Sequence, residues 1–179
     1  MPGEQTSGPH AIIVMGVSGC GKSSVGEKLA GALHLAFVEG DALHPAANVE
    51  KMSKGIPLTD EDRMPWLDRI GEDMKASLEK GEGIIVSCSA LKRIYRDRLR
   101  AAAGDNLFFV YLEGSRQLLT KRMGERKGHF MPVSLLESQL TTLEAPTGEH
   151  GVVTVDIDDT IDGISATALE GLAALGITA

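Results

Sequence analysis

Residues 12–24 read Ile12-Ile13-Val14-Met15-Gly16-Val17-Ser18-Gly19-Cys20-Gly21-Lys22-Ser23-Ser24. An apolar, β-branched run feeds a turn of the form G-x-x-x-x-G-K-S, and a helix-forming stretch follows. Each residue type has a chemical reason. Gly16, Gly19 and Gly21 let the backbone turn tightly and aim its N–H groups at one point. A helix starting at Lys22 directs its positive dipole end to the same place. Lys22 is then placed to reach the β- and γ-phosphates of ATP, and the Ser23 hydroxyl to ligate Mg²⁺. Cys20 and Ser24 complete the set expected around the phosphates. Cys20 lies beside a helix N-terminus, which lowers thiol pKa values, but filling a variable loop position explains it better. Because the pattern and both flanks agree, the chain is expected to bind a nucleoside triphosphate.

Outward from this loop, strand-like and helix-like segments alternate. The strands are expected at 11–15, 35–38, 84–88, 107–112 and 152–157. The helices are expected at 22–33, 46–54, from Thr59 or Asp60 to about Lys80, at 91–103, from Ser115 to 125, and at 133–143 and 161–175. Glycines and prolines punctuate them: Gly55 and Pro57 stop one helix, and Gly81 and Gly104 end two others. Trp66, Ile70, Met74 and Leu78 share one face of the long helix. The fold class is therefore α/β, a P-loop nucleotide-kinase-like three-layer fold with a five-stranded parallel sheet. It is expected as one domain over 11–179, after a flexible tail over 1–10. A lid is expected at about 122–132.

Bulk properties narrow the function. The chain has 179 residues, enough for one well-formed core. Its net charge of −7 argues against a nucleic-acid partner, whose binding surfaces are basic. No apolar run approaches the ~20 residues that span a bilayer, and the first ten residues lack signal-peptide features. A cytoplasmic protein without a membrane partner is expected. The two cysteines form no metal-ligand spacing. Composition leaves the oligomeric state open, homodimer included.

Ligands of open parallel sheets gather at the carboxyl ends of the strands. Four loops therefore converge on the phosphate loop. The first carries Glu39, Asp41 and His44 before Pro45. Asp41 is expected to act as general base on an acceptor hydroxyl, and Glu39 to sit in the metal sphere. Shaping the turn is the simpler alternative for Asp41 and His44. The second carries Arg63, a cation in a first helical turn, where it opposes the dipole. It faces either an anionic ligand or a local partner, Asp60 or Glu61. The third carries Ser89, expected to cap a helix and also to face the site, with Lys92 and Arg96 four residues apart on one helical face. These two are read as facing an acidic ligand, against the alternative of a solvated helix face. The fourth carries Arg122, Arg126, Lys127, Gly128 and His129. Here one arginine is expected to stack on the nucleotide base and the other to reach the γ-phosphate, with Gly128 as hinge. An exposed basic turn is the alternative.

On residues alone, the chain reads as a phosphotransferase for a small, acidic, hydroxylated acceptor. Gluconate, shikimate and nucleoside monophosphates all fit, and a non-catalytic ATP switch remains a different class of reading. Several segments then narrow the choice. They are Gly16–Ser23, Glu39–Pro45, 48–52, Gly55–Arg63 with Pro65-Trp66-Leu67, Cys88–Lys92 with Tyr95-Arg96-Asp97, 126–130 and 140–146. Through them the chain resembles the bacterial-type gluconokinase family, ATP:D-gluconate 6-phosphotransferases related to shikimate and nucleoside-monophosphate kinases. The resemblance spans about residues 11–160. It implies ATP with Mg²⁺ as cofactors and D-gluconate as substrate. It implies Asp41 at the acceptor hydroxyl and Arg63 on the carboxylate. Lys92 and Arg96 would line the pocket, and Arg126, Lys127 and His129 would close over it. By analogy with other small-molecule kinases, Asp158 lies by the adenine loop. Cys20 departs from the family's usual small residue without disturbing the backbone cradle.

Overall fold

The computed structural model describes residues 8–125 and 133–179. Five strands form one parallel sheet: β1 (Ala11–Met15), β2 (Ala36–Glu39), β3 (Ile84–Ser87), β4 (Leu107–Glu113) and β5 (Val152–Asp156). Their order is β2-β3-β1-β4-β5. In register, Ile13 lies beside Val86 on one side and Phe109 on the other. All of β1 is buried, as its unbroken apolar run requires of a strand covered on both faces.

The helices are α1 (Lys22–Leu33), α2 (Ala46–Ser53), α3 (Asp60–Glu79), α4 (Arg93–Ala103), α5 (Arg116–Glu125), α6 (Val133–Thr142) and α7 (Ile161–Ala174). Crossovers between parallel strands are right-handed. The chain moves one way along the sheet from β1 to β2 and the other way from β2 onward. The helix after β1 therefore lies on the opposite face from those that follow β2 and β3. The packing agrees, since α1 pairs with α7 and α3 pairs with α4. The reversal puts the switch point beside β1, where such sheets bind ligands.

Local chemistry places the ends of the elements. Thr59 caps α3 by accepting from the Asp62 N–H at 3.0 Å, and the Asp62 carboxylate accepts from the Thr59 N–H at 2.9 Å. This reciprocal box settles the choice between Thr59 and Asp60 as cap. Ser115 accepts from the Leu118 N–H at 3.2 Å ahead of α5, as expected. The start of α4 differs from expectation. It begins at Arg93, with Lys92 as an extended cap residue. Ser89 does not cap it. Ala90 adopts φ +44°, a left-handed conformation rare for a residue with a Cβ, which delays the helix by two residues. The Glu144 carboxylate caps α4 from a distant loop, accepting from the Arg93 N–H at 2.8 Å.

Candidate active site

At the carboxyl end of β1 the chain turns on three glycines of positive φ: Gly16 at 149°, Gly19 at 85° and Gly21 at 93°. A Cβ on Gly16 would lie 2.8 Å from the Cys20 sulfur and 3.0 Å from the Leu112 carbonyl oxygen, so the loop admits no side chain there. Gly21 is the left-handed residue preceding α1, with Lys22 and Ser23 in the first turn. Lys22 Nζ lies 3.2 Å from the Val17 carbonyl oxygen, inside the loop. Cys20 is fully buried and packs in the core, which fits its reading as a filler.

The Ser23 hydroxyl donates to Glu39 at 2.5 Å, and Ser87 donates to the other Glu39 oxygen at 2.6 Å. The expected metal pair is thus brought together, with Ser87 fixing the carboxylate. Sequence reasoning missed Ser87, whose only signal was its place at the end of β3. Behind it, Gly40 approaches so closely that a Cβ would sit 1.9 Å from the Ser87 carbonyl oxygen, which reserves that position for glycine.

A cleft with a cavity volume of about 40 Å³ opens beside the loop. Lys22, Asp41, His44, Arg63, Trp66 and Ser89 are among the residues that line it. Five expected site residues therefore converge: Lys22, Asp41, His44, Arg63 and Ser89. Trp66, read as core, is 1% exposed and is also part of the wall. Its indole N–H donates to the Gly40 carbonyl at 2.8 Å, and its ring stacks on His44 with centroids 4.0 Å apart. Burial, with help from the Arg63 cation, holds the His44 pKa down at about 4. Imidazole at neutral pH is therefore uncharged. Cys88, behind Asp41, is fully buried, and its thiol is pushed up to about 12, so it is not a nucleophile.

Arg63 is 9% exposed and donates from Nη1 to the Tyr95 hydroxyl at 2.7 Å. Among the described residues it makes no direct ion pair with Asp60 or Glu61, although its charge is among the smaller causes that lower the Asp60 carboxyl. Asp60 instead accepts from Tyr95 and, at 2.8 Å, from Lys92. Those hydrogen bonds, Lys92 first, hold the Asp60 carboxyl below its ordinary value. The relay from Arg63 through Tyr95 to Asp60 is the second omission. Its signal was the spacing of acid, cation and tyrosine across two helices, which only tertiary packing joins.

Lys92 and Arg96 do not share a helical face, because Lys92 lies outside the helix. Lys92 is tied to Asp60 and stands outside the cleft wall described above. Arg96 is fully buried and structural. It makes a two-pronged bond to Glu149 at 3.0 and 2.7 Å, and donates to the Ala90 and Glu144 carbonyls, each at 2.8 Å. A basic residue early in a helix marked an anion correctly, but the anion is the chain's own.

Arg122 of α5 donates to the Ile157 and Asp159 carbonyls at 2.6 and 3.1 Å. This joins Arg122 to the loop that carries Asp158. Ser18, in the phosphate loop, donates its N–H to Gln139 of α6 at 2.7 Å, a contact the sequence did not signal. Arg126, Lys127, Gly128 and His129, the expected lid residues, lie outside the described residues.

Against known proteins, an AAA-domain family model matches residues 12–146. The thermosensitive gluconokinase of Escherichia coli is 43% identical over 167 residues, covering 93% of this chain and 89% of that protein. The gluconokinase of Gluconobacter oxydans is 51% identical over 149 residues, 82% of each chain. The chain belongs to the gluconokinase family. A crystal structure of a gluconokinase from Sinorhizobium meliloti superposes with a TM-score of 0.87 at 56% identity, covering 94% of both chains. An adenylylsulfate (APS) kinase from Mycobacterium tuberculosis shares only the fold, with a TM-score of 0.67 at 20% identity. Among the described residues no helix is long and apolar enough to cross a membrane.

Proposed function

We infer that this chain is a gluconokinase that transfers the γ-phosphoryl group of ATP to the terminal hydroxyl of D-gluconate, giving 6-phospho-D-gluconate. One observation carries the reading. In a chain this similar to gluconokinases, a single cleft holds the phosphate-loop lysine, a carboxylate and a cation. The phosphate loop from Gly16 to Ser24 cradles the phosphates, with Lys22 as the charge that follows the transferred group. Asp41 orients the acceptor hydroxyl and takes its proton. Arg63 binds the carboxylate at the other end of the substrate, and His44 contacts a hydroxyl between them. Arg122 and Asp158 border the nucleotide base. Arg126 and His129 are assigned to the closing segment.

Mg²⁺ fits the residues present. Magnesium in kinases is held by one or two side chains, phosphates and water. Ser23 and Glu39 supply that minimal set, and among the described residues no cluster of three or more acidic, His or Cys ligands competes with it. The ion supplies neutralisation of phosphate charge. The reading is tested by a coupled assay with ATP against gluconate, shikimate, glucose and AMP. Turnover strictly dependent on gluconate is expected. Equal or faster turnover of shikimate or AMP overturns it, and slow acceptor-free hydrolysis favours a nucleotide switch.

A further inference from the structure

Asn48 is 4% exposed, one of the few buried polar side chains among the described residues, and it lies four positions beyond His44. Its amide nitrogen, Nδ2, donates to the Asp62 main-chain carbonyl at 2.8 Å. A carbonyl only accepts, so this bond fixes which end of the amide carries the N–H groups. The same nitrogen lies 3.2 Å from His44 Nδ1. An amide N–H₂ only donates, so His44 Nδ1 is the acceptor and its proton resides on Nε2. The Trp66 indole covers one face of the ring. Nδ1 is engaged away from the cleft wall, to which His44 belongs and Asn48 does not. Among the described residues no partner engages Nε2–H, which leaves it as the ring's polar atom for a ligand.

We propose that Asn48 is a positioning residue that locks His44 in its neutral Nε2–H tautomer, so that the cleft offers the sugar acid a fixed hydrogen-bond donor. The role extends the gluconate reading and rests on it for the identity of the ligand. The device has a clear physical purpose. A free histidine would switch between donor and acceptor, and would gain charge near pH 6.5. Protonation here would set Nδ1–H against the amide N–H₂, donor against donor, in a half-buried site. Arg63 of α3 disfavours a second cation, while Lys22 of the phosphate loop and Asp41 on the turn after β2 are the other charged groups lining the cleft. Asp62 of α3 is tied to Lys51 of α2 at 2.8 Å. A neutral donor suits a hydroxyl, and leaves Arg63 as the cation for the carboxylate.

The test combines imidazole nitrogen NMR with pH profiles. In the parent protein, His44 should show the Nε2–H tautomer from pH 6 to 8, and its signals should move on saturation with gluconate. Asn48→Asp replaces the donor by an acceptor. It should convert His44 to Nδ1–H, raise its pKa, and add to kcat/KM for gluconate a titration between about pH 6 and 8 that the parent lacks. Asn48→Gln serves as a conservative control that keeps the donor. A purely structural Asn48 would alter stability while leaving tautomer and pH profile unchanged, which overturns the proposal. So does a parent His44 in the Nδ1–H form, or one whose signals ignore gluconate in an enzyme that turns gluconate over. Absence of gluconate turnover in the parent would instead refute the substrate reading, because the tautomer is read without substrate.

Discussion

Lys22 and Asp41 meet at one cleft although 19 positions separate them in the chain, and substitutions separate their roles. Lys22→Ala is expected to lower kcat by about 10²–10³-fold, since one charge-assisted contact to the transferring group is worth about 3–4 kcal/mol. The fold should persist, because Lys22 holds only its own loop. The check is steady-state kinetics alongside thermal melting, and near-parent turnover would remove Lys22 from the mechanism. Asp41→Asn is expected to keep the KM for ATP and lose turnover, because the amide keeps the shape but cannot take the proton. Retained turnover with weakened ATP affinity would make Asp41 a nucleotide residue. These residues were legible in the sequence because their chemistry depends on the loop each occupies. Arg96 was not. Its partner Glu149 stands 53 positions away, and no local pattern tells a cation facing a ligand from one facing its own protein. The contact between Asn48 and His44 was hidden similarly, since Asn48 read as a helical residue within a family segment and carried no role at the site.

Elements were legible wherever hydrophobic period and punctuation agreed, and shifted where a tertiary contact overrode them. The clearest shift is the turn from β3 to α4. Ser89 offered a local cap, yet the strained Ala90 and the remote Glu144 set the start of the helix. Arg96 holds that turn by its bond to the Ala90 carbonyl and anchors the loop before β5 through Glu149. Arg100 adds a second cation 2.9 Å from Glu149. Arg96→Ala leaves a buried carboxylate short of its main partner, and breaking such a pair costs about 3–5 kcal/mol. Urea unfolding should show that loss. Arg96→Met combined with Glu149→Leu should recover much of it, because the desolvated charge is then gone. A loss below about 1 kcal/mol in the single variant would show that the pair contributes little. Since Ser89 borders the cleft on the same turn, gluconate KM should rise in Arg96→Ala even where the protein remains folded.

Across the whole molecule, several groups with lowered pKa values set the response to acid. His44 titrates near 4 when folded and near 6.5 when free, so its contribution is complete above pH 6.5 and is lost as the pH falls toward 4. Asp62, held at about 2 chiefly by Lys51, keeps its contribution until lower pH. So do Asp60 and Asp68, lowered by Lys92 and Arg98. Burial works to raise Glu149, yet Arg96 and Arg100 hold it below its ordinary value. Stability should therefore decline gently from pH 6.5 to 4 and steeply below. Urea midpoints at pH 7.5, 5 and 3.5 read this, and His44→Gln should flatten the first segment alone. A midpoint that rises between pH 6.5 and 4.5 would contradict the assignment. The overall architecture was legible because alternating strand and helix signals admit few arrangements under the handedness rule. The strand order carries a consequence for synthesis. β3 lies between β1 and β2, so the first half of the sheet cannot close when its first two strands have been made. The nascent chain must wait for Ile84–Ser87, and at ~5–20 residues per second that gap persists for several seconds. During that interval the wholly apolar β1 has no neighbour on either side. The newborn protein is then a natural client for chaperones, before it has any catalytic site to protect.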